Sequence, residues 1–145
     1  MRSSGKVSVT LIIVVAFVVG LIVMSLSGGK SPTIAGARFM QALADGDAEE
    51  LTDLSYAPGV ERQELLEQWK YATEVVAPYY VFTYEIKGES KPTKGEAIVW
   101  MMITKNAASG AAYPERFELL LHDTDDGWKV DVFSLSRDMY PGLPR

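Results

Sequence analysis

The chain has 145 residues and no cysteine, with 14 Lys and Arg against 19 Asp and Glu. That length suits one domain with an appendage, and the missing thiols exclude disulfides, thiolate zinc sites and thiol catalysis. Beyond residue 30 eleven Lys and Arg are scattered among all nineteen acids, a net charge of about −8. Such a surface repels phosphate backbones, so nucleic acid is not an expected partner.

The appendage is N-terminal. Val7 to Leu26, VSVTLIIVVAFVVGLIVMSL, is a run of twenty residues without a charge. As a helix it would reach about 30 Å, the thickness of a bilayer's hydrocarbon core, and it lacks the polar face of a surface helix. The expected organisation is a cytoplasmic N-terminus (1–6), a transmembrane signal anchor (7–26), a linker (27–31), a folded domain (32–136) and a C-terminal tail (137–145). Arg2 and Lys6 precede the span and Lys30 alone follows closely. This bias predicts a single-pass protein of the cell membrane with its C-terminal domain extracytoplasmic. Ser25-Leu26-Ser27 resembles a cleavage site, but the apolar run is longer than a signal peptide's usual core, which favours an uncleaved anchor.

Ser31-Pro32 reads as an N-cap with Pro at the first helical position. Ala35, Phe39, Ala42 and Leu43 then share one helical face as far as Asp45-Gly46. Asp47, with Glu50 three residues on, opens a short second helix as a capping box that ends near Leu54 to Tyr56. After the break Ala57-Pro58-Gly59, a third helix is expected over about Val60 to Val76, with Leu65, Trp69, Ala72 and Val76 on one face. Pro78 closes it.

The period then changes from about 3.6 to 2. Tyr79 to Lys87 alternates as a strand, and the turn-rich GESKPTKG leads to a second strand, Glu96 to Lys105, apolar on both faces. A loop at 106–110 precedes strands over Ala112 to Asp123 and Trp128 to Ser136. In the last of these Trp128, Val130 and Val132 share a face that completes the core. The tail RDMYPGLPR reads as irregular. Helices followed by four strands make an α+β domain, with the helices packed on one face of an antiparallel sheet.

Two motifs carry a family resemblance. The first helix ends in Ala42-Leu43, then Gly46-Asp47 and Leu51; the last hairpin reads Asp126-Gly-Trp-Lys-Val130. With the element order, these residues resemble the nuclear transport factor 2-like superfamily, whose small exported bacterial members include many of unknown function. The resemblance spans about 32 to 136. It implies a curved sheet closed against helices as a cystatin-like cone, often with an apolar pocket and frequently a dimer. The superfamily holds isomerases, dehydratases and non-catalytic modules, so fold does not fix activity. Such domains often place a strand before the last long helix, and Ser55 to Val60 is too short and broken to be read as one.

The acidic run Asp123 to Gly127 fails as a calcium loop. An EF-hand needs Gly at its sixth position and Glu at its twelfth, and here those positions hold Trp128 and Ser134. A tight hairpin explains the same residues. His122 and Asp123, adjacent on a strand, point to opposite faces. The sole histidine has no second His or Cys beside it, so no metal, cofactor or catalytic set is assigned. Tyr80, Phe82, Tyr84, Trp100 and Tyr113 are candidates to line a pocket or simply to fill the core. One face of 97–103 must also lie away from the helices, presenting Trp100 and Met102, or Met101 and Ile103, to a partner.

Tyr80, Tyr84, Trp100, Met102 and His122 are therefore the candidate ligand-binding or interface residues. The favoured reading is a membrane-anchored, extracytoplasmic binding or assembly module without catalytic activity, partnered by a second copy or another membrane protein. The alternatives are a small apolar-ligand binder or isomerase- or dehydratase-like enzyme using the cone, and a secretion-machine assembly component.

Overall fold

The computed structural model describes residues 31–105 and 112–145. The anchor segment 7–26, and the loop expected at 106–110, lie outside them. Among the described residues no helix is long and apolar enough to cross a membrane.

Helix α1 (Pro32–Asp45) starts on Pro at its first turn and buries Phe39, Met40 and Leu43. It ends at Gly46, with the Asp47 N–H returning to the Ala42 carbonyl at 2.9 Å. Asp47 caps α2 (Ala48–Asp53) by accepting from the Glu50 N–H. The other half of the expected capping box does not form, because the Glu50 carboxylate pairs with Arg38 on α1.

The expected break after α2 contains a strand, β1 (Ser55–Tyr56), lying parallel to the last strand. The sheet therefore has five strands rather than four. Two residues carry no readable alternation, and β1 is held by its neighbours, including a 2.7 Å bond from the Val130 N–H to the Leu54 carbonyl.

Helix α3 (Arg62–Lys70) buries Leu65, Leu66 and Trp69, then widens into a π turn (Tyr71–Val76). The expected helix over 60–76 thus starts later and changes type in its last turns. A π turn shifts the side-chain period, and Val76, expected on the buried face, is 40% exposed.

Strands β2 (Phe82–Ser90), β3 (Glu96–Lys105), β4 (Pro114–Thr124) and β5 (Gly127–Asp131) follow, in the spatial order β1-β5-β4-β3-β2. The β4–β5 hairpin closes through Asp125-Asp126, and Gly127 takes φ 103°, a value side-chain-bearing residues rarely adopt. β5 stops short of Ser136. Asp131 instead accepts from the Ser134 N–H and starts a 3-10 turn (Val132–Ser134).

The core lies between the helices and one face of the sheet. Ala97, Val99, Met101 and Ile103 meet Phe117, Leu119, Leu121 and Val130 there, against Phe39 and Trp69, whose rings contact edge-on at 5.8 Å. The tail has no helix or strand, yet it belongs to this core. Met139, Tyr140 and Leu143 are buried, and the Tyr140 ring stands edge-on to Tyr80 at 5.3 Å. Arg137 ties the tail back on itself by donating to the Leu143 and Pro144 carbonyls.

Candidate functional site

The side-chain period of two sends alternate residues of β3 to opposite environments. Even-numbered positions form the outer face, away from the helices. Cross-strand register sets them in rungs: Glu85–Met102–Arg116, Gly88–Trp100–Glu118, Ser90–Ile98–Leu120, and Glu96–His122–Lys129. Ile98, Trp100, Met102 and Leu120 are half-buried and form the apolar strip of this face.

Trp100 occupies a built position. The Arg116 guanidinium lies over its ring, 4.2 Å from the centroid, an attraction between a cation and the π face. On the other side the β2 register shifts between Ile86 and Gly88, and the indole approaches the Gly88 backbone. A Cβ at Gly88 would sit 2.6 Å from the Trp100 ring nitrogen. A glycine at the bulge therefore lets the indole lie flat against β2. Two ion pairs flank it, Lys87–Glu85 at 2.9 Å and Arg116–Glu118 at 3.0 Å.

At the β1 side of the same face, His122 Nε2 lies 2.9 Å from Asp131 Oδ2, and both side chains are about one-fifth exposed. The Tyr56 ring stacks on the imidazole at 4.1 Å. The acid facing His122 thus comes from β5, and the adjacent Asp123 is exposed. The cluster links β1, β5 and β4 through side chains. Asp131 also caps the following turn with its other oxygen, so both carboxylate oxygens are engaged.

The other two candidate residues lie on the helix side. Tyr84 fits between β2 and α1, donating to Gln41 Oε1 at 3.3 Å. Burial, aided by nearby Asp45, pushes its hydroxyl up to about 12. Burial likewise raises Tyr80 and Tyr140. The five candidates do not form one pocket: Tyr80 and Tyr84 pack on the core, whereas Trp100, Met102 and His122 share the outer face. Tyr113, read as a pocket or core residue, is 69% exposed.

The interior is occupied by the protein's own side chains. Trp69, Phe39, Met40, Met101 and Met139 are among the largest fully buried groups. The buried polar residues among those described are Thr52, Ser55 and Thr73, each hydrogen-bonded to a helix carbonyl. A surface groove of about 570 Å³ runs elsewhere, between the outer side of α3 and the tail, lined by Glu64, Glu67, Gln68, Tyr71 and 142–145. Among the described residues no group of three or more His, Asp or Glu could hold a metal.

Sequence reasoning missed Tyr56 and Gly88 as parts of the outer face, and did not single out Asp131 as the acid that meets His122. Arg116 and Asp131 were legible as outward positions from strand parity alone. Tyr56 and Gly88 were not, because a two-residue strand and a bulge leave no periodic signal.

No family model matches the sequence, and no curated protein matches it either. Solved structures do resemble it. A domain of unknown function with a cystatin-like fold from Nostoc punctiforme superposes with TM-score 0.51 at 13% identity, covering 67% of this chain and 68% of that one. A SEC-C motif containing protein from Rhodopseudomonas palustris gives 0.50 at 14% identity, over 70% and 75%. An NTF-2 like protein of unknown function from Shewanella oneidensis gives 0.44 at 16%, over 69% and 94%. The chain adopts a cystatin-like α+β fold. The likeness is one of fold.

Proposed function

We propose that the protein is a single-pass, membrane-anchored assembly module that presents its domain outside the cytoplasmic membrane and docks a protein on the outer face of its sheet. The observation that carries this reading is the Trp100 position, an indole held between Arg116 and the Gly88 backbone in the middle of an apolar strip. Trp and Arg are enriched among residues that dominate protein interfaces, and such anchors sit centrally within a polar rim. The apolar run Val7–Leu26 supplies the anchor, and confinement to a membrane raises the effective concentration of the domain near membrane partners.

A filled interior also supports docking over chemistry inside the cone. An isomerase-like mechanism requires a carboxylate or imidazole facing a bound substrate; the largest fully buried side chains among the described residues are apolar, and Glu115, which pairs with Ile103 on the helix-facing side near Tyr80, is partly exposed. The test is affinity purification of the full-length chain from solubilised membranes, with and without Trp100→Asp. The substitution is expected to remove co-purifying chains while leaving protease resistance of the domain unchanged. Retention of the same partners by a folded Trp100→Asp chain would sink the docking reading. A mature protein beginning near Gly28 would remove the anchor.

A further inference from the structure

The groove between α3 and the tail lies on the helical side of the domain. Glu64, Glu67, Gln68 and Tyr71 follow one another at spacings of three and four, so a single stripe along α3 and into the π turn makes its first wall. Residues 142–145 make the second wall, and the space between them, about 570 Å³, is open to solvent. The tail wall is held in place. Leu143 is buried, the Leu143 and Pro144 carbonyls accept from Arg137, and the Arg145 N–H donates to Gln68 Oε1 at 3.0 Å. Gly142 sits at φ 73° against the π turn, where an added Cβ would lie 2.9 Å from Val76.

The helical wall carries unanswered negative charge. Acids elsewhere on the surface, among them Glu50, Asp53, Glu85 and Glu118, each hold a basic side chain. Glu64 and Glu67 are exposed and make no ion pair among the described residues, Arg145 at the end of the groove included. Beyond them the rim turns apolar. Of the seven large apolar or aromatic side chains exposed among the described residues, five fall between Tyr71 and Val81, at 40 to 92% exposure. The π turn makes part of this rim by turning Val75 and Val76 outward together, and such segments recur at functional sites. An exposed apolar rim beside a groove marks contact with another molecule.

We infer that this groove binds an extended peptide segment of a partner protein, one that carries a Lys or Arg beside an aromatic or aliphatic residue. The site is separate from the docking face on the sheet and does not rest on it. The basic side chain lies over the exposed Tyr71 ring between Glu64 and Glu67, and its apolar neighbour packs on the lip of Val75 and Val76. Charge complementarity acts at long range as well, since a domain near −8 steers a basic segment in and repels an acidic one. A small molecule fits less well, because small-ligand sites enclose most of the ligand's surface, whereas this groove is open and runs on into an apolar rim. With the tail already tied to α3, the walls need no ordering when the peptide arrives.

The test is selection from a random phage-displayed peptide library on the full-length chain in mild detergent, followed by fluorescence polarisation of the enriched peptides. These are expected to carry Lys or Arg next to an aromatic or aliphatic residue. Their affinity should fall about tenfold when Glu64→Gln and Glu67→Gln are combined, the loss of roughly one charge-assisted contact, and should weaken as salt is raised. Combining Glu64→Lys with Glu67→Lys should turn the selection toward peptides bearing Asp or Glu, a change of preference that a misfolded chain would not show. Absence of enrichment on a protease-resistant chain would overturn the inference, as would enriched peptides without a basic residue. An affinity unmoved by the paired Gln substitutions would place the peptides elsewhere and overturn it too. Displacement of the peptides by arginine methyl ester at equal affinity would make the occupant a small cation, and the peptide reading would fall.

Discussion

The two faces of β3 differ by a single step along the chain and by nearly everything in their surroundings. Val99, Met101 and Ile103 are sealed under the helices at 0 to 1% exposure. Ile98, Trp100 and Met102, just as apolar, remain half-buried on the outside. Their partial cover comes from Arg116, from the bulged backbone at Gly88 and from the cross-strand Leu120. The inner face is packed on all sides and tolerates little. The outer face is a surface whose shape is maintained by a few long side chains, and such a surface can separate stability from association.

Substitutions on the two faces test that separation. The largest expected effect is inside. Phe39→Ala removes a ring that packs edge-on against Trp69 in a fully buried position, and should cost about 3–5 kcal/mol in urea unfolding. A cost under about 1 kcal/mol would mean that the interior holds space the packing does not suggest.

The next tests how Trp100 is seated. Gly88→Ala forces the indole off the β2 backbone, since the added carbon would lie 2.6 Å from its ring nitrogen, at about 1–3 kcal/mol. Adding Trp100→Leu should recover most of that loss, and strict additivity of the two changes would show that they do not touch. Near-ultraviolet circular dichroism of Gly88→Ala should change as the ring moves.

His122→Ala is expected to cost about 1 kcal/mol, the worth of a hydrogen bond between partly exposed partners. It also removes the ring beneath Tyr56. Amide exchange should quicken at Val130, whose N–H bonds to Leu54 at the foot of β1, before it quickens in β3. Equal acceleration everywhere would deny the cluster its role in holding β1.

The smallest effect is confined to alkaline pH. The Tyr84 hydroxyl titrates near 12 when folded, against an ordinary value of 10.0, so the folded state holds its proton where the unfolded chain has lost it. This contribution to stability is fully present below pH 10 and is lost as pH rises through 12. Tyr84→Phe should flatten that part of the stability profile and remove the latest tyrosinate absorbance step.

Much of this architecture was readable residue by residue. The helical face of Ala35, Phe39, Ala42 and Leu43 appears where the period requires, and β3 spans Glu96–Lys105 as expected. The Asp125-Asp126-Gly127 turn follows from the dihedrals that Asp and Gly tolerate. The candidate residues were harder. Tyr80, Tyr84 and Trp100 are all aromatic strand residues, and composition gave no reason to place the first two against helices and the third outside. Nor did the irregular RDMYPGLPR announce that Met139, Tyr140 and Leu143 would complete the core, because burial without a regular element leaves no period to detect.

The sequence by itself determined the type of the longer elements, the last hairpin turn, the acidic surface and the uncharged run at 7–26, all of which are local properties of a few neighbouring residues. Tertiary structure decided which parity of β3 the helices cover, that His122 meets Asp131 and Tyr56, and that a glycine at 88 makes room for Trp100. Each of those outcomes depends on residues far apart in the chain. A strand that is apolar on both faces satisfies its own periodicity either way, and only the helices packed against it break the tie.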